Sequence, residues 1–404
     1  MMKASIVIFL AVLFQYSCGN AINPLIAPLA RETGISEVQS GLFFTLSSLM
    51  WLIAGPYWGK QSEAVGRKYV MLIGLGSCSL LYMLFAVIGS WGITYHPASL
   101  LLFILLLLTR ITSGLFFSTV PVAAQAYIAD TTQGKERTSA LTLVWIGSGL
   151  GSIIGPSLGM ASSYGFMTPL YLAAILPLVA FMVVWTQLPS IKKKNTASQA
   201  KTYQKVQLLD KRIWPFLFII TSLQATILSM QVTTGFFIKD YFHYSLSETA
   251  KVIGFIFMFS GIASITSQLV FVRTLKLSES RLLIMGTTFI LLSFLSLLFH
   301  QHLSALYGTF TLLGLGIGLV LPGASSSASL SVSPTEQGAV AGLITAAQGL
   351  GTLSGPLIGT SLYPIHSLYP YLATGGLFLI ASIIIWIKVS QRHVDDNKGI
   401  SLHR

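Results

Sequence analysis

Twelve stretches of this chain stay apolar for about 20 residues, the length that crosses a bilayer as a helix. They lie near 5–30, 38–59, 69–91, 99–129, 139–161, 169–189, 213–238, 248–271, 282–299, 304–330, 338–362 and 369–390. Lipid offers the backbone no hydrogen bonds, so spanning segments must be helices or a closed barrel. These runs are far longer than barrel strands. Overall the chain is 53% hydrophobic and 9% charged, against about 25% charged in soluble domains. The expected fold class is therefore an all-α polytopic membrane protein. It should hold twelve transmembrane helices in two pseudo-symmetric six-helix bundles. The start, Lys3 followed by Ala4 to Phe14, has the outline of a signal peptide. Its apolar character continues to Ala30 with no good small-residue cleavage site, so it reads as the first span.

The net charge of +12 would suggest nucleic acid in a soluble protein. Here the charges fall between the apolar runs and report topology instead. With both termini cytoplasmic, the inside loops hold Lys60, Arg67, Lys68, Lys135, Arg137, Lys192, Lys193, Lys194, Lys201 and more, whereas the outside loops hold only Arg31 and Lys239. The expected location is the inner, or plasma, membrane, with the lipid bilayer as a partner and no nucleic acid. Residues 190–212 are polar and basic, without apolar periodicity. They divide the chain into an N-terminal bundle (1–189), a cytoplasmic linker (190–212), a C-terminal bundle (213–390) and a cytoplasmic tail (391–404). Cys18 and Cys78 offer no disulfide framework and no metal-ligand spacing, so neither metal nor cofactor is expected. Only Arg110 and Lys251 are charged within spans. Glu32, Glu37, Asp240 and Glu248 lie near the outer surface, and no acid lies deep.

A repeat joins the two halves. Shifting the chain by 200 positions superposes Gly149, Leu150, Gly151, Gly155, Pro156 and Gly159 on the same residue types. An internal repeat at half the chain length signals duplication. Gly151, Gly155 and Gly159 are four apart, as is Gly147 from Gly151, so they share one helix face and admit another backbone closely. Pro156 removes a hydrogen bond and bends the helix.

The loop after the second run reads Gly59-Lys-Gln-Ser-Glu63-Ala-Val-Gly66-Arg67-Lys68. It resembles the signature loop of the major facilitator superfamily, with Glu63 where that family usually has Asp. The glycine run Gly147–Gly159 resembles the family's antiporter motif, and Arg110-Ile-Thr-Ser-Gly114 a motif tied to proton-coupled exporters. Together they are similar to the twelve-span drug:proton antiporter branch. Glu63 and Arg67 are four apart and can pair on a helical turn; Asp130 and Arg137 in the next inside loop can join them. The resemblance implies that Gly59, Glu63, Gly66, Arg67, Lys68, Asp130 and Arg137 form a conformational latch onto the eleventh helix. An acid near that helix's start gains from its N-terminal dipole. Gln268, Arg273, Lys276 and Arg281 form a degraded counterpart in the second half.

Arg110 lies about eleven residues, roughly 17 Å, into the fourth span. A charge at that depth is costly and marks a functional site facing the bundle interior. Gln15 and Gln224 lie at similar depth, with Asn20 and Asn23 further out and Gln125 toward the inner end. The resemblance implies a central cavity lined by these helices. Expected substrate-binding residues are Arg110, Gln15, Asn20, Asn23, Gln125 and Gln224, with Tyr16, Met230 and Phe255 among the apolar walls. One cation with amides and aromatics suits an amphipathic organic ligand. Multidrug members of the branch often carry a first-helix carboxylate; this chain has Gln15, Asn20 and Asn23 there. The expectation is an exporter of small drug-like compounds or a secreted metabolite such as a siderophore, in exchange for protons, working as a monomer. The proton carrier would come from Glu32, Glu37, Asp240, His243 and Glu248. The absent acid favours neutral, zwitterionic or anionic cargo. The nearest alternative is an importer of an anionic nutrient or iron-siderophore. A membrane enzyme lacks deep acid–base residues, and a channel lacks a ring of identical filter residues.

Overall fold

Helix breakers and caps in the sequence set where each span starts, bends and stops. A computed structural model describes residues 2–132, 134–190, 210–299, 301–333 and 336–401. Linker residues 191–209 and the side chain of Arg137 lie outside the described residues. The first span is two helices, α1 (Met2–Asn20) and α2 (Asn23–Thr33). Pro24 opens α2, where a missing N–H costs nothing. Gly34 caps α2 in the left-handed conformation, φ 69°, its N–H bonding Ala30 O. Ser36 then caps α3 (Glu37–Ala64) reciprocally with Gln39. Gly66, at φ 112°, turns the chain into α4 (Arg67–Tyr95), a conformation that disfavours any side chain.

The fourth span is also broken, into α5 (Ser99–Phe117) and α6 (Thr119–Thr131). Pro121 accounts for the break, because its ring clashes with the carbonyl four residues back, that of Phe117. The fifth span is α7 (Gly134–Ser157), tightened to a 3-10 turn over Leu158–Tyr164, and the sixth is α8 (Thr168–Gln187). The second half follows with α9 (Trp214–Phe242), α10 (Leu246–Ser267), α11 (Glu279–Ser296), α12 (Leu303–Leu330), α13 (Gln337–Leu362) and α14 (Tyr369–Ser401). A wide π turn, Gln268–Thr274, prolongs α10.

Twelve spans result, and no strand occurs among the described residues. Eleven are long and apolar enough to cross a membrane on those two criteria. α13 has 26 residues and so the length, but glycine, serine and threonine dilute its apolarity. Large apolar side chains such as Leu80, Leu100, Trp145, Trp185 and Leu372 are exposed. Lipid, not water, suits such a surface.

The chain divides into two compact units. The first holds residues up to Ala197 together with Gln231–Met258; the second holds Ser198–Met230 and everything from Phe259 on. The long helices α9 and α10 are thus shared between them. One buried cluster of the first unit joins Val7, Ile8, Ala11 and Val12 on α1 to Val70, Met71 and Leu75 on α4, to Val120, Ala123 and Ala124 on α6, and to Val184 on α8.

Candidate functional site

The breaks in the first and fourth spans create polar partners inside the first unit. Proline 121 has no N–H to offer the Phe117 carbonyl. The buried Gln15 supplies one instead, its Nε2 donating to Phe117 O at 3.0 Å. Gln15 Oε1 is buried with no partner. Tyr16 packs edge-on against the Phe117 ring, with centroids 5.2 Å apart. A side-chain amide thus stitches α1 to the kink between α5 and α6.

Arg110 is 7% exposed. Its Nη1 donates to the Tyr82 hydroxyl at 2.7 Å. That hydroxyl donates on to Gly19 O at 3.2 Å, beside the break between α1 and α2. The guanidinium also lies 5.6 Å from the Tyr82 ring centroid and 5.9 Å from that of Phe44, within cation–π range. Its Nε is buried without a partner. Among the described residues no carboxylate comes within ion-pair distance of it. A crevice of about 130 Å³ beside it is lined by Ile22, Leu81, Tyr82, Phe85, Thr109 and Ser113, and is too tight to hold water. Arg110 therefore sits in a network linking α5, α4 and α1, with spare donor capacity.

The glycine faces meet neighbouring backbones directly. A Cβ at Gly151 would lie 2.6 Å from Leu13 O, 2.6 Å from Tyr16 Cβ and 2.9 Å from Ser17 N. In the second half, a Cβ on Gly351 would crowd Thr221 O and lie 2.6 Å from Gln224 Cβ and 2.9 Å from Ala225 N. Gly155 presses on Asn20 and Ala21, and Gly355 on Ala225 and Leu228. Gly147 faces the Phe9 carbonyl. Gly159 breaks the series: it faces Ala250 O on α10 and Pro24 on α2.

In the charged loop, Arg67 lies between Asp130 (Nε to Oδ2, 3.0 Å) and Glu63 (3.6 Å). It also donates to Ser62 Oγ and Gly59 O, while Lys68 Nζ donates to Trp185 O at 2.7 Å. In the second unit, the start of α13 is organised by Arg212, which donates to Asp210 and to Glu336 (2.7 and 2.9 Å). Glu336 also accepts from Ser333 N and Oγ. The Arg212 guanidinium and the Ser333 donors hold the Glu336 carboxyl down at about 2; Arg212 likewise holds Asp210 below the usual carboxylate range.

The remaining amides separate into two groups. Asn23 Nδ2 is shared between Asn20 Oδ1 and Gln231 Oε1, both at 3.3 Å. Gln125 and Gln224 are half-buried, as are Tyr16 and Phe255, whereas Met230 is fully buried. Gln231, Tyr82 and the Phe117 carbonyl were not among the expected site residues. Only the last has a sequence signal, the proline four residues on. Glu248 bonds Ser245 N and Oγ as a helix cap. Among the described residues no group of His, Cys, Asp and Glu could hold a metal ion.

A model of the Major Facilitator Superfamily matches residues 8–275 and 217–402. Multidrug resistance protein 2 of Bacillus subtilis is 26% identical over 390 residues, 94% of this chain and 93% of that protein. The class B tetracycline resistance protein of Escherichia coli is 28% identical, covering 86% and 85% of the two chains. Quinolone resistance protein NorA of Staphylococcus aureus is 22% identical, covering 92% of each. Among solved structures, the nucleoside transporter NupG aligns with TM-score 0.74 at 12% identity over 95% of this chain and 99% of that one. The human organic anion transporter MFSD10 aligns with TM-score 0.63 at 19% identity over the same shares.

Proposed function

Because this chain belongs to the major facilitator superfamily, we propose that it exports small amphipathic organic compounds by alternating access. The observation that carries this is likeness over nearly the whole chain to resistance proteins of three bacteria. Two bundles present a binding site to either side of the membrane in turn, and cargo need only bias an equilibrium of a few kcal/mol. The chain is a multi-pass membrane transporter and not an enzyme. We place it in the inner membrane with the basic end, which carries the Gly59–Lys68 loop, in the cytoplasm. Export runs in exchange for protons, and a monomer suffices.

Charge supports a narrower substrate class. All twelve Asp and Glu residues lie at helix ends, in loops or in the tail, while Arg110 is a buried cation. A carrier with this balance handles neutral, zwitterionic or anionic cargo better than lipophilic cations; drug-like acids and carboxylate-bearing secreted metabolites such as siderophores fit. The Arg110–Tyr82 network tunes the first bundle, and the Gln15, Asn20, Asn23 and Gln224 amides offer hydrogen bonds.

Expression in a drug-sensitive host tests direction and charge together. The expected result is higher tolerance of tetracycline and of a zwitterionic quinolone, with little change for ethidium. Unchanged tolerance of all three, or protection against ethidium alone, contradicts the proposal.

A further inference from the structure

At the end of the first unit opposite the basic loop, α2 and α9 are joined by charge. Arg31 donates from Nε and Nη2 to the two oxygens of Asp240, at 3.0 and 2.6 Å. Its Nη1 lies 2.5 Å from Glu37 at the start of α3, and the guanidinium covers the Phe236 ring, 4.9 Å from the centroid. Two-pronged arginine–carboxylate contacts are among the stronger polar contacts available. Below the charges, Gly235 lets α9 touch α2: a Cβ there would be 2.6 Å from that of Ala27. Lower still, Asn23 bonds Gln231. A parallel strip runs beside it, with Gly159 against Ala250 O and Gly254 against Pro156 O.

We propose that Arg31, Asp240 and Glu37 form a charge latch that holds the outer end closed. Gly235 and the Asn23–Gln231 bridge seal the seam beneath it. The latch parts whenever the carrier opens outward. This rests on the alternating-access reading above. The contacts fall on Gln231–Met258, the stretch of α9 and α10 that clusters with the first unit while the rest of both helices clusters with the second. Arg31 and Asp240 are 28% and 38% exposed. Pairs screened by solvent to this extent are weak. The latch therefore biases the closed state and still breaks in every cycle.

A reporter cysteine reads the seam without reference to flux. Ala250→Cys is placed in a Cys18→Ser/Cys78→Ser background; Ala250 is fully buried. Whole cells are labelled with a membrane-impermeant maleimide. Asp240→Asn raises the labelling rate about fivefold, whereas Asp240→Glu keeps the charge and stays within about twofold of the parent. Gly235→Ala wedges the seam and also raises labelling, with no charge altered. If Asp240→Asn is absent from the membrane, Arg31→Lys replaces it, since it keeps the charge and loses the fork. Parental labelling rates in the charge variant or in Gly235→Ala overturn the latch. Labelling that responds in a chain that moves no compound leaves the latch standing and defeats the transport reading. Transport with unresponsive labelling does the reverse.

Discussion

Gly151 meets α1 and Gly351 meets α9 through matching atoms: a carbonyl, a Cβ and an amide nitrogen in the same order. Gly114 against Ser47 O recurs 200 residues on as Gly314 against Ser260 O, and Gly74 against Thr119 and Val120 recurs as Gly286 against Leu319 and Val320. What the halves bury beside these seams differs. Two hundred residues beyond Arg110 stands the buried Phe310. The shift from Gly74 on α4 to Gly286 on α11 carries Tyr82 to Phe294, which packs on Gly375. One half holds a guanidinium and a phenol where the other holds two phenyl rings. Backbone contact tolerates almost no side-chain volume, so duplicated seams stay alike. Side-chain chemistry away from the seams has no such restraint, and among the described residues the buried guanidinium belongs to the first half alone.

The largest expected effects test that asymmetry. Arg110→Ala lowers transport of a zwitterionic quinolone at least about tenfold, the size of an effect expected for an intramembrane functional charge. Phe310→Ala has the opposite signature, a loss of about 3–5 kcal/mol from a vacated core, read as a lower melting temperature in detergent. Equal transport losses in both variants would break the comparison.

Symmetry of the seams is tested by Gly151→Ala and Gly351→Ala. Each should cost about 1–3 kcal/mol by overpacking, and the two losses in thermal stability should be similar. Tyr82→Phe leaves the Arg110 donor unpaired and costs about 1–3 kcal/mol; Phe294→Tyr, which places a hydroxyl with no guanidinium opposite it, rescues nothing.

The smallest effect is a pH dependence in the second half. The Glu336 carboxyl is held at about 2, below its ordinary value of about 4.3. A depressed acid stabilises the fold fully above the ordinary value and loses that contribution as pH falls toward about 2. The melting-temperature gap between the natural chain and Glu336→Gln should therefore stay constant from neutrality to about pH 5 and shrink below it. A gap that varies between pH 6 and 8 would show that other groups set it.

Much of this architecture is legible in the chain. Twelve apolar runs and the 200-residue repeat lead to paired six-helix bundles, and the four-residue spacing of glycines leads to their contact faces. Glu63, Arg67 and Asp130 lie near helix ends that local rules place. The partners of the deep groups were not legible in the same way. Tyr82 reaches Arg110 only through the packing of α4 on α5. Arg31 finds Asp240 across 209 residues, so residues that the sequence places only as separate charges near the outer surface form a cluster. The kink at Pro121 is the exception. Its lost N–H announces an orphan carbonyl at Phe117, and a buried amide such as Gln15 is the natural donor.

Proteoliposomes bearing the purified chain, with an imposed pH gradient and the basic end's orientation fixed, test the account most directly. A zwitterionic quinolone should move away from the basic side and ethidium far less, and Arg110→Ala should abolish the movement while Arg110→Lys, which keeps the charge, retains part of it. Equal movement of quinolone in the natural chain and Arg110→Ala, or no movement of any compound, would contradict it.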